Sequence, residues 1–591
     1  MFLKQTPTPK GTFLQIVESY YDNGVSRQRV IEKVGYLDDL QSQYDDPIAF
    51  FKDKAKRLTA EKKSSQNDEL KIDLSTKLDM HADSLLNVGY GILKRLYLEL
   101  KLDLFWKDVA AKYRIDYDLE AIFRLLVFSR ILYPASKKAT YENRTIYFEK
   151  YDFNLIDVYR ALFIFSKEDR HLQAWIFNYS KDSYSRDLSH SYFDCTNYYF
   201  EIENNDSDLI DEEGNILVKN YRKRGPEKNH RPDPIIELGL LMDGTGIPLA
   251  YELFPGNESE KLHLRPLVNR SRIDFGFQRT IVVADRGLNT SDNMYFLAGK
   301  NDQDTNHRDG YVYGQSIRGA DQEFKNWVID KNGYNQTRID DNGEKILFTH
   351  KSRIYPRTIY ITREMANGKT RKQKITIDQK QMVYYSEKYA KRQRIARNSM
   401  IEKAKDLIAH PKKYDKVSSL GTAGYVINLS FDEATGQIIE KSLQLDEDKI
   451  AEEEKYDGYY SIVTSELDMS DIELRKVYRG LAKIEDTFKV TKSELESRPL
   501  FVWTKESIEA HFLTCFTSLV LIRLLEKRLK EKYTVEKIIH SLKKYNCVNI
   551  GSNKYMFTCY DEIIDDCSKE FHIELDKKYR TRREIRHLLK Y

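Results

Sequence analysis

Three carboxylates sit where their neighbours make them unexpected. Asp194 falls inside "SYFDCTN", an alternating aromatic run that reads as a strand, and Asp285 ends the short apolar run "IVVAD". Strand interiors disfavour Asp, because its short polar side chain competes for backbone hydrogen bonds. Glu485 lies in "YRGLAKIEDTFKVTKSELESRP" (478–499). Around it Leu474, Val477, Leu481, Ile484 and Phe488 recur at steps of three and four, which predicts one apolar face of a helix. Tyr478, Glu485 and Lys492 are spaced by sevens and stack on one flank of that face, with Lys489 beside them. Brought together, three carboxylates repel one another unless a cation neutralises them. An all-oxygen set suits Mg²⁺ or Mn²⁺, and two such ions could activate water and stabilise the leaving oxygen of a phosphodiester. Taken singly, each residue also has a plainer reading. Asp285 before Arg-Gly can be a turn former, Asp194 can pair with a buried cation, and Glu485 can be an i,i+4 partner of Lys489.

The elements expected to position them follow from the periodicity. "SHSYFDCTNYYFEIE" (189–203) alternates as a strand does, and "PIIELGLLMD" and "GIPLAYELFPG" flank a D-G-T-G turn as a hairpin. "SEKLHLRPLVNRSRI" reads as a helix with Ser259 at its N-cap. "RTIVVADRG" is a short buried strand, "TSDNMYFLAGK" a helix and "GYVYGQSI" a fifth strand. The order β-β-β-α-β-α-β matches a ribonuclease-H-like core, a mixed sheet with helices on its faces. No strong helix is expected directly after it. Residues 318–469 read as an inserted, mostly β domain carrying one very basic helix, "EKYAKRQRIARNSMIEKAKDLI".

The expected organisation is α/β: a ribonuclease-H-like catalytic core, interrupted by the β-rich insertion, between helical N-terminal and C-terminal regions. The expected boundaries are 1–185 (mostly helical, though "TFLQIVESYY" and "RQRVIEKVGYL" look β-like), 186–317 (first part of the core), 318–469 (insertion), 470–530 (core completion) and 531–591 (a helical, basic tail). A chain of 591 residues is too long for one core. Its net charge of +4 is small, so a nucleic acid would have to be met by local basic patches. Four stand out: 222–231, including Arg231; 351–373; 388–413, where Lys391, Arg392, Arg394 and Arg397 crowd together; and the tail "KKYRTRREIRH". The five cysteines show no metal-ligand spacing and fit a reducing compartment. "FLTCFTSLVLI" (512–522) reads as a buried core helix, and with no secretory signal in view the expectation is a soluble, cytoplasmic protein with no membrane partner.

The segments "YFDCTN", "ELGLLMDGTGIPLAYELFPGNESE", "IVVADRGL", "DGYYSIVTS" and "YRGLAKIEDTFKVTKSELESRP" together resemble the DDE transposases of bacterial insertion sequences, in the branch with a β-rich insertion before the catalytic Glu. The 200 residues between Asp285 and Glu485 agree with such an insertion. That branch carries a Tyr-x2-Arg-x3-Glu-x6-Lys signature. Tyr478, Glu485 and Lys492 fit it, whereas Leu481 stands at the Arg position. The resemblance implies metal-dependent cleavage at transposon ends and cut-and-paste strand transfer, with a hairpin intermediate in some members. Asp194, Asp285 and Glu485 would be catalytic and hold two Mg²⁺ or Mn²⁺ ions, while Tyr478, Lys489 and Lys492 would hold DNA near the scissile bond. Trp327, in a run read as a strand, is the candidate for stacking on a flipped base, and Arg498 and His511 match the family pattern near the catalytic helix. The partners implied are double-stranded DNA (terminal inverted repeats, read by the DNA-binding region 1–185, and target) and a second copy in a synaptic homodimer, with 531–591 suited to dimerisation and the protein associated with the bacterial nucleoid. Two alternatives stay open: a catalytically silent DNA-binding descendant, and a nuclease of the same fold without strand transfer.

Overall fold

The computed structural model describes the chain except residues 23–24, 45, 66–74, 76, 78–84, 227–232, 277–278, 299–308, 342–343, 365–368, 416–417, 420, 432–436, 440–441, 498–499, 501, 552 and 591. Two compact units divide it, Met1–Ala82 and Asp83–Tyr591. The first is not mostly helical. Phe2–Thr8, Gly11–Asp22 and Val25–Tyr36 form an antiparallel sheet, followed by helices Leu37–Leu40 and Pro47–Ser65. β-branched and aromatic residues alternate with polar ones along "TFLQIVESYY", which fits a sheet with one covered face. Leu14, Leu40 and Phe51 make its small core.

In the second unit the dominant element is one nine-stranded sheet. We number its strands β1 (His190–Tyr199), β2 (Ile235–Asp243), β3 (Pro248–Pro255), β4 (Ile281–Ala284), β5 (Gly310–Gln315), β6 (Asn335–Asp341), β7 (Glu344–Glu364), β8 (Thr370–Tyr385) and β9 (Tyr459–Thr464). Their spatial order is β6-β7-β8-β9-β5-β4-β1-β2-β3. The first three strands pair antiparallel, while β4 runs parallel to both β1 and β5. Parallel strands buried on both faces read as continuous apolar runs, and every residue of Ile281–Ala284 is buried.

Residues 318–469 are not a separate β domain. The long β7–β8 hairpin joins β9, which joins β5, so the insertion prolongs the core sheet. A helix does follow β5 directly, Gln322–Ile329, N-capped by Asp321, whose side chain accepts from the Phe324 amide. Ser259 does not cap the next long helix. It precedes a short 3₁₀ turn, and the helix Leu264–Phe275 starts after His263 without a side-chain cap.

One face of the sheet packs against Leu264–Phe275 and Ser291–Ala298 through Leu264, Leu267, Val268, Met294 and Leu297. The other faces a helical layer centred on Lys505–Arg528. That helix is long and apolar enough to cross a membrane, but 89% of its most apolar window is buried inside the protein. It serves as a core helix. The C-terminal region is not purely helical either, since Asn546–Asn549, Lys554–Phe557 and Tyr579–Thr581 form a small sheet with Leu85–Asn87. The helices of 90–180 and this sheet belong to the same unit as the large sheet, so the compact boundary falls at residue 82 rather than 185.

The segment carrying Glu485 is two helices, Asp471–Arg479 and Ala482–Ser493, broken at Gly480–Leu481. Ser470 caps the first through the Glu473 amide. At the break the bonds tighten to i→i−3: Gly480 N–H donates to Val477 C=O at 3.1 Å and Leu481 N–H to Tyr478 C=O at 3.1 Å. The reason is close packing on β1, where a Cβ at position 480 would overlap the Tyr192 hydroxyl. Gly480→Ala is therefore expected to destabilise the protein by about 1–3 kcal/mol. Adding Tyr192→Phe should recover part of that loss in urea unfolding, and an unchanged midpoint for the single variant would contradict this packing.

Candidate active site on the central strands

Ile281, Val282 and Val283 pair in parallel with His190, Ser191 and Tyr192. Carrying that register two residues further sets Asp285 beside Asp194, on strands roughly 4.8 Å apart and on the same face. Asp285 sits where β4 ends and caps a 3₁₀ turn, its Oδ1 accepting the Gly287 amide at 2.7 Å. Asp194 stays inside β1, half-buried, with Oδ1 accepting the Cys195 amide at 2.8 Å. One strand stops and its neighbour continues, which opens the sheet surface at this level.

Because side chains alternate, Tyr192, Asp194 and Thr196 share one face of β1. The Tyr192 hydroxyl donates to Val477 C=O at 3.2 Å, at the helix break. At the other end Lys492 Nζ donates to Thr196 Oγ1 and lies 5.3 Å from the Tyr198 ring centroid. Asp194 lies between these anchors on the strand, and Glu485 lies between them on the helix. Glu485 is exposed, so its carboxylate is turned to solvent rather than packed. Lys489 is exposed too. Arg523 holds the helix from the far flank, donating to Asp486 at 2.6 Å and to Thr487 Oγ1 at 3.0 Å.

Tyr478 links two of the three carboxylates. Its hydroxyl nests against Gly314, where a Cβ would collide with it. Its pKa is raised, first by burial, then by the negative charge of Asp285 and by Tyr460, against an opposing effect of Arg286, with the smallest contribution from Glu485. Both carboxylates thus act on one phenol. Among the described residues, no group of three His, Cys, Asp or Glu side chains is drawn close enough to hold a metal ion. The three carboxylates fit a hard, oxygen-preferring cation in donor type.

The remaining candidates divide. Lys391, Arg392 and Arg394 are exposed on the basic helix Glu387–Ala409. Arg397 is not. It is buried, pairing with Asp457 at 2.6 Å and Glu454 at 3.1 Å, so it fastens that helix to the loop before β9. Trp327 lies on the helix Gln322–Ile329, not on a strand, and Arg353 and Lys351 stand over its ring at 4.5 and 5.0 Å. Nearer to Tyr478 is a cavity of about 100 Å³ lined by Arg286, Arg318, Tyr389, Tyr459 and Tyr460. His511 is buried against Lys137 (3.3 Å) and Cys515 (3.6 Å). Burial, then the charges of Lys137 and Arg130, hold its pKa well below the usual range, so it stays neutral and structural. In the stretch 222–231, Arg222 pairs with Asp206 at 2.6 Å and Lys223 with Asp208 at 2.9 Å. Arg231 and Arg498 lie outside the described residues.

Gly480, Gly314, Tyr192 and Arg523 had no chemical signature in the sequence. The one available cue was an isolated Gly inside a helical pattern.

Residues 3–70 match the model of the IS1634 family transposase, N-terminal domain. No curated protein matches the chain. The match lies within the first unit and supports an insertion-sequence transposase, a DNA-binding and DNA-processing protein.

Arg397→Ala should cost about 3–5 kcal/mol of stability, the cost of stranding a buried charge. Arg394→Ala should stay within about 0.5 kcal/mol of wild type. Equal unfolding midpoints for the two variants would contradict this division of the helix.

Proposed function

We propose that the chain is a DDE-type DNA transposase, with a ribonuclease-H-like core formed by β1–β5 and the helix carrying Glu485. The observation that carries this reading is the strand register that sets Asp285 beside Asp194, together with the anchoring of the Glu485 segment along the same strand. Asp285 is in register with Asp194, and the helix bearing Glu485 is pinned along the same strand on both sides of Asp194. Asp194, Asp285 and Glu485 would hold Mg²⁺ or Mn²⁺, two ions in the active complex. Bound there, the cations supply the charge that activates water or a 3′-hydroxyl and stabilises the leaving oxygen.

The chain's own residues would do the rest. Tyr478 stays protonated at neutral pH and can donate a hydrogen bond at the edge of the site. Lys489 is exposed on the helix turn that follows Glu485, placed to meet a phosphate. Lys492 sets the helix on β1 through Thr196, and a phosphate would compete for the same ammonium. Lys391, Arg392 and Arg394 offer a sequence-independent track for the DNA backbone. Stacking on a flipped base, if the reaction passes through a hairpin, would fall to the tyrosine-lined cavity beside Tyr478, because the Trp327 ring is already covered. The first unit would read the terminal inverted repeats, and a homodimer would hold two ends together.

The test is Mg²⁺-dependent cleavage and joining of DNA bearing the inverted repeats that flank the gene. Asp194→Ala, Asp285→Ala and Glu485→Ala should each lower cleavage on the order of a thousandfold while the variants still bind that DNA. Near-wild-type cleavage by any one of them would break the triad assignment. Cleavage without joining by wild type would leave a nuclease.

A further inference from the structure

The helix Leu155–Lys167 carries apolar side chains on its outer side as well as on its buried one. Val158, Ala161, Leu162, Ile164 and Phe165 are buried inside the protein. On the opposite side Ile156, Tyr159 and Phe163, spaced by three and four, are 65, 50 and 47% exposed. Arg160 and Lys167 flank this stripe and are exposed.

A second bare apolar element stands close by. Between β1 and β2 the chain makes a small hairpin, Leu209–Ile210 paired with Ile216–Val218. Leu209, Ile210, Ile216 and Leu217 are all 53–61% exposed, and the turn between the strands holds Asp211, Glu212 and Glu213. Such a hairpin buries too little to be stable by itself. Here its base is clamped by Arg222–Asp206 and Lys223–Asp208. Its acidic tip would be repelled by DNA, so a protein surface is the better occupant.

The two elements are neighbours on one side of the molecule. Glu509 accepts a hydrogen bond from Ser166, at the end of the helix, at 2.7 Å, and from Tyr221, at the base of the hairpin, at 2.8 Å. An acidic apolar hairpin beside a basic apolar helix makes a self-complementary face, as a two-fold interface requires.

We propose that this face is where two copies of the chain meet, each hairpin lying on the Leu155–Lys167 helix of the other copy. Aliphatic side chains meet Ile156, Tyr159 and Phe163, and the Glu212–Glu213 turn meets Arg160 and Lys167. The inference does not rest on the catalytic reading, because it concerns the chain without DNA or metal.

The experiment is sedimentation velocity of the full chain without DNA. Wild type should sediment at twice the chain mass. Leu217→Asp, at a side chain 61% exposed, should shift it to a monomer with an unchanged unfolding midpoint. Glu212→Lys with Glu213→Lys should also dissociate it, as should Arg160→Glu with Lys167→Glu, and the four changes together should restore the double mass. A monomeric wild type, a dimer indifferent to Leu217→Asp, or failure of the combined charge reversal to restore association would each overturn the proposal. Loss of repeat-DNA binding by Leu217→Asp with mass unchanged would assign the face to DNA and overturn it equally.

Discussion

The parallel pairing of β1 with β4 is the constraint on which the rest depends. Parallel strands need a crossover, and here it is supplied by the β2–β3 hairpin and the helix Leu264–Phe275. Once Ile281–Val283 lie alongside His190–Tyr192, the position of Asp285 relative to Asp194 is decided by register alone. A slip of one residue would turn one of the two carboxylates to the opposite face. The apolar side chains that prevent such a slip, Phe193 and Cys195 on one face and Tyr192 on the other, belong to two separate cores. Hydrophobic burial on both sides of the sheet thus specifies the position of two charged groups at its surface.

Glu485 belongs to a helix far along the chain, and that helix is held by contacts at the ends of its segment rather than at the carboxylate. Gly480 admits Tyr192, Gly314 admits Tyr478, and Lys492 reaches Thr196. Arg523, from the buried core helix, holds Asp486 and Thr487 on the far side. Glu485 itself remains exposed, which keeps the carboxylate hydrated and available.

The placement of Asp194 inside an aromatic strand, of Asp285 at the end of an apolar run and of Glu485 on an amphipathic helix was legible from the residues, and each stands out against local propensity. The succession of strands and helices that supplies β1–β5 was also legible in the periodicity. What could not be read was tertiary. The β7–β8 hairpin looks like part of an independent domain until β9 is seen to join it to β5. Gln322–Ile329 is only eight residues long, too short for a 3.6-residue period to separate it from a strand, so Trp327 reads as a strand residue in the sequence. Arg397 has the same composition around it as Arg394. Only the approach of Asp457, 60 residues later, shows that its charge is spent internally. The early β-like runs pointed to the first sheet, but hydrophobicity alone left them ambiguous beside the strongly helical stretch that follows.

The account's central claim is that segments around Asp194, Asp285 and Glu485 surround a single divalent-cation site. Replacing Mg²⁺ by Fe²⁺ in the full chain and generating hydroxyl radicals from the bound metal maps every backbone segment near it. The account predicts cuts in three segments, centred near residues 194, 285 and 485, all suppressed by excess Mg²⁺. Cuts at the first two without the third, or a pattern indifferent to Mg²⁺, would contradict it.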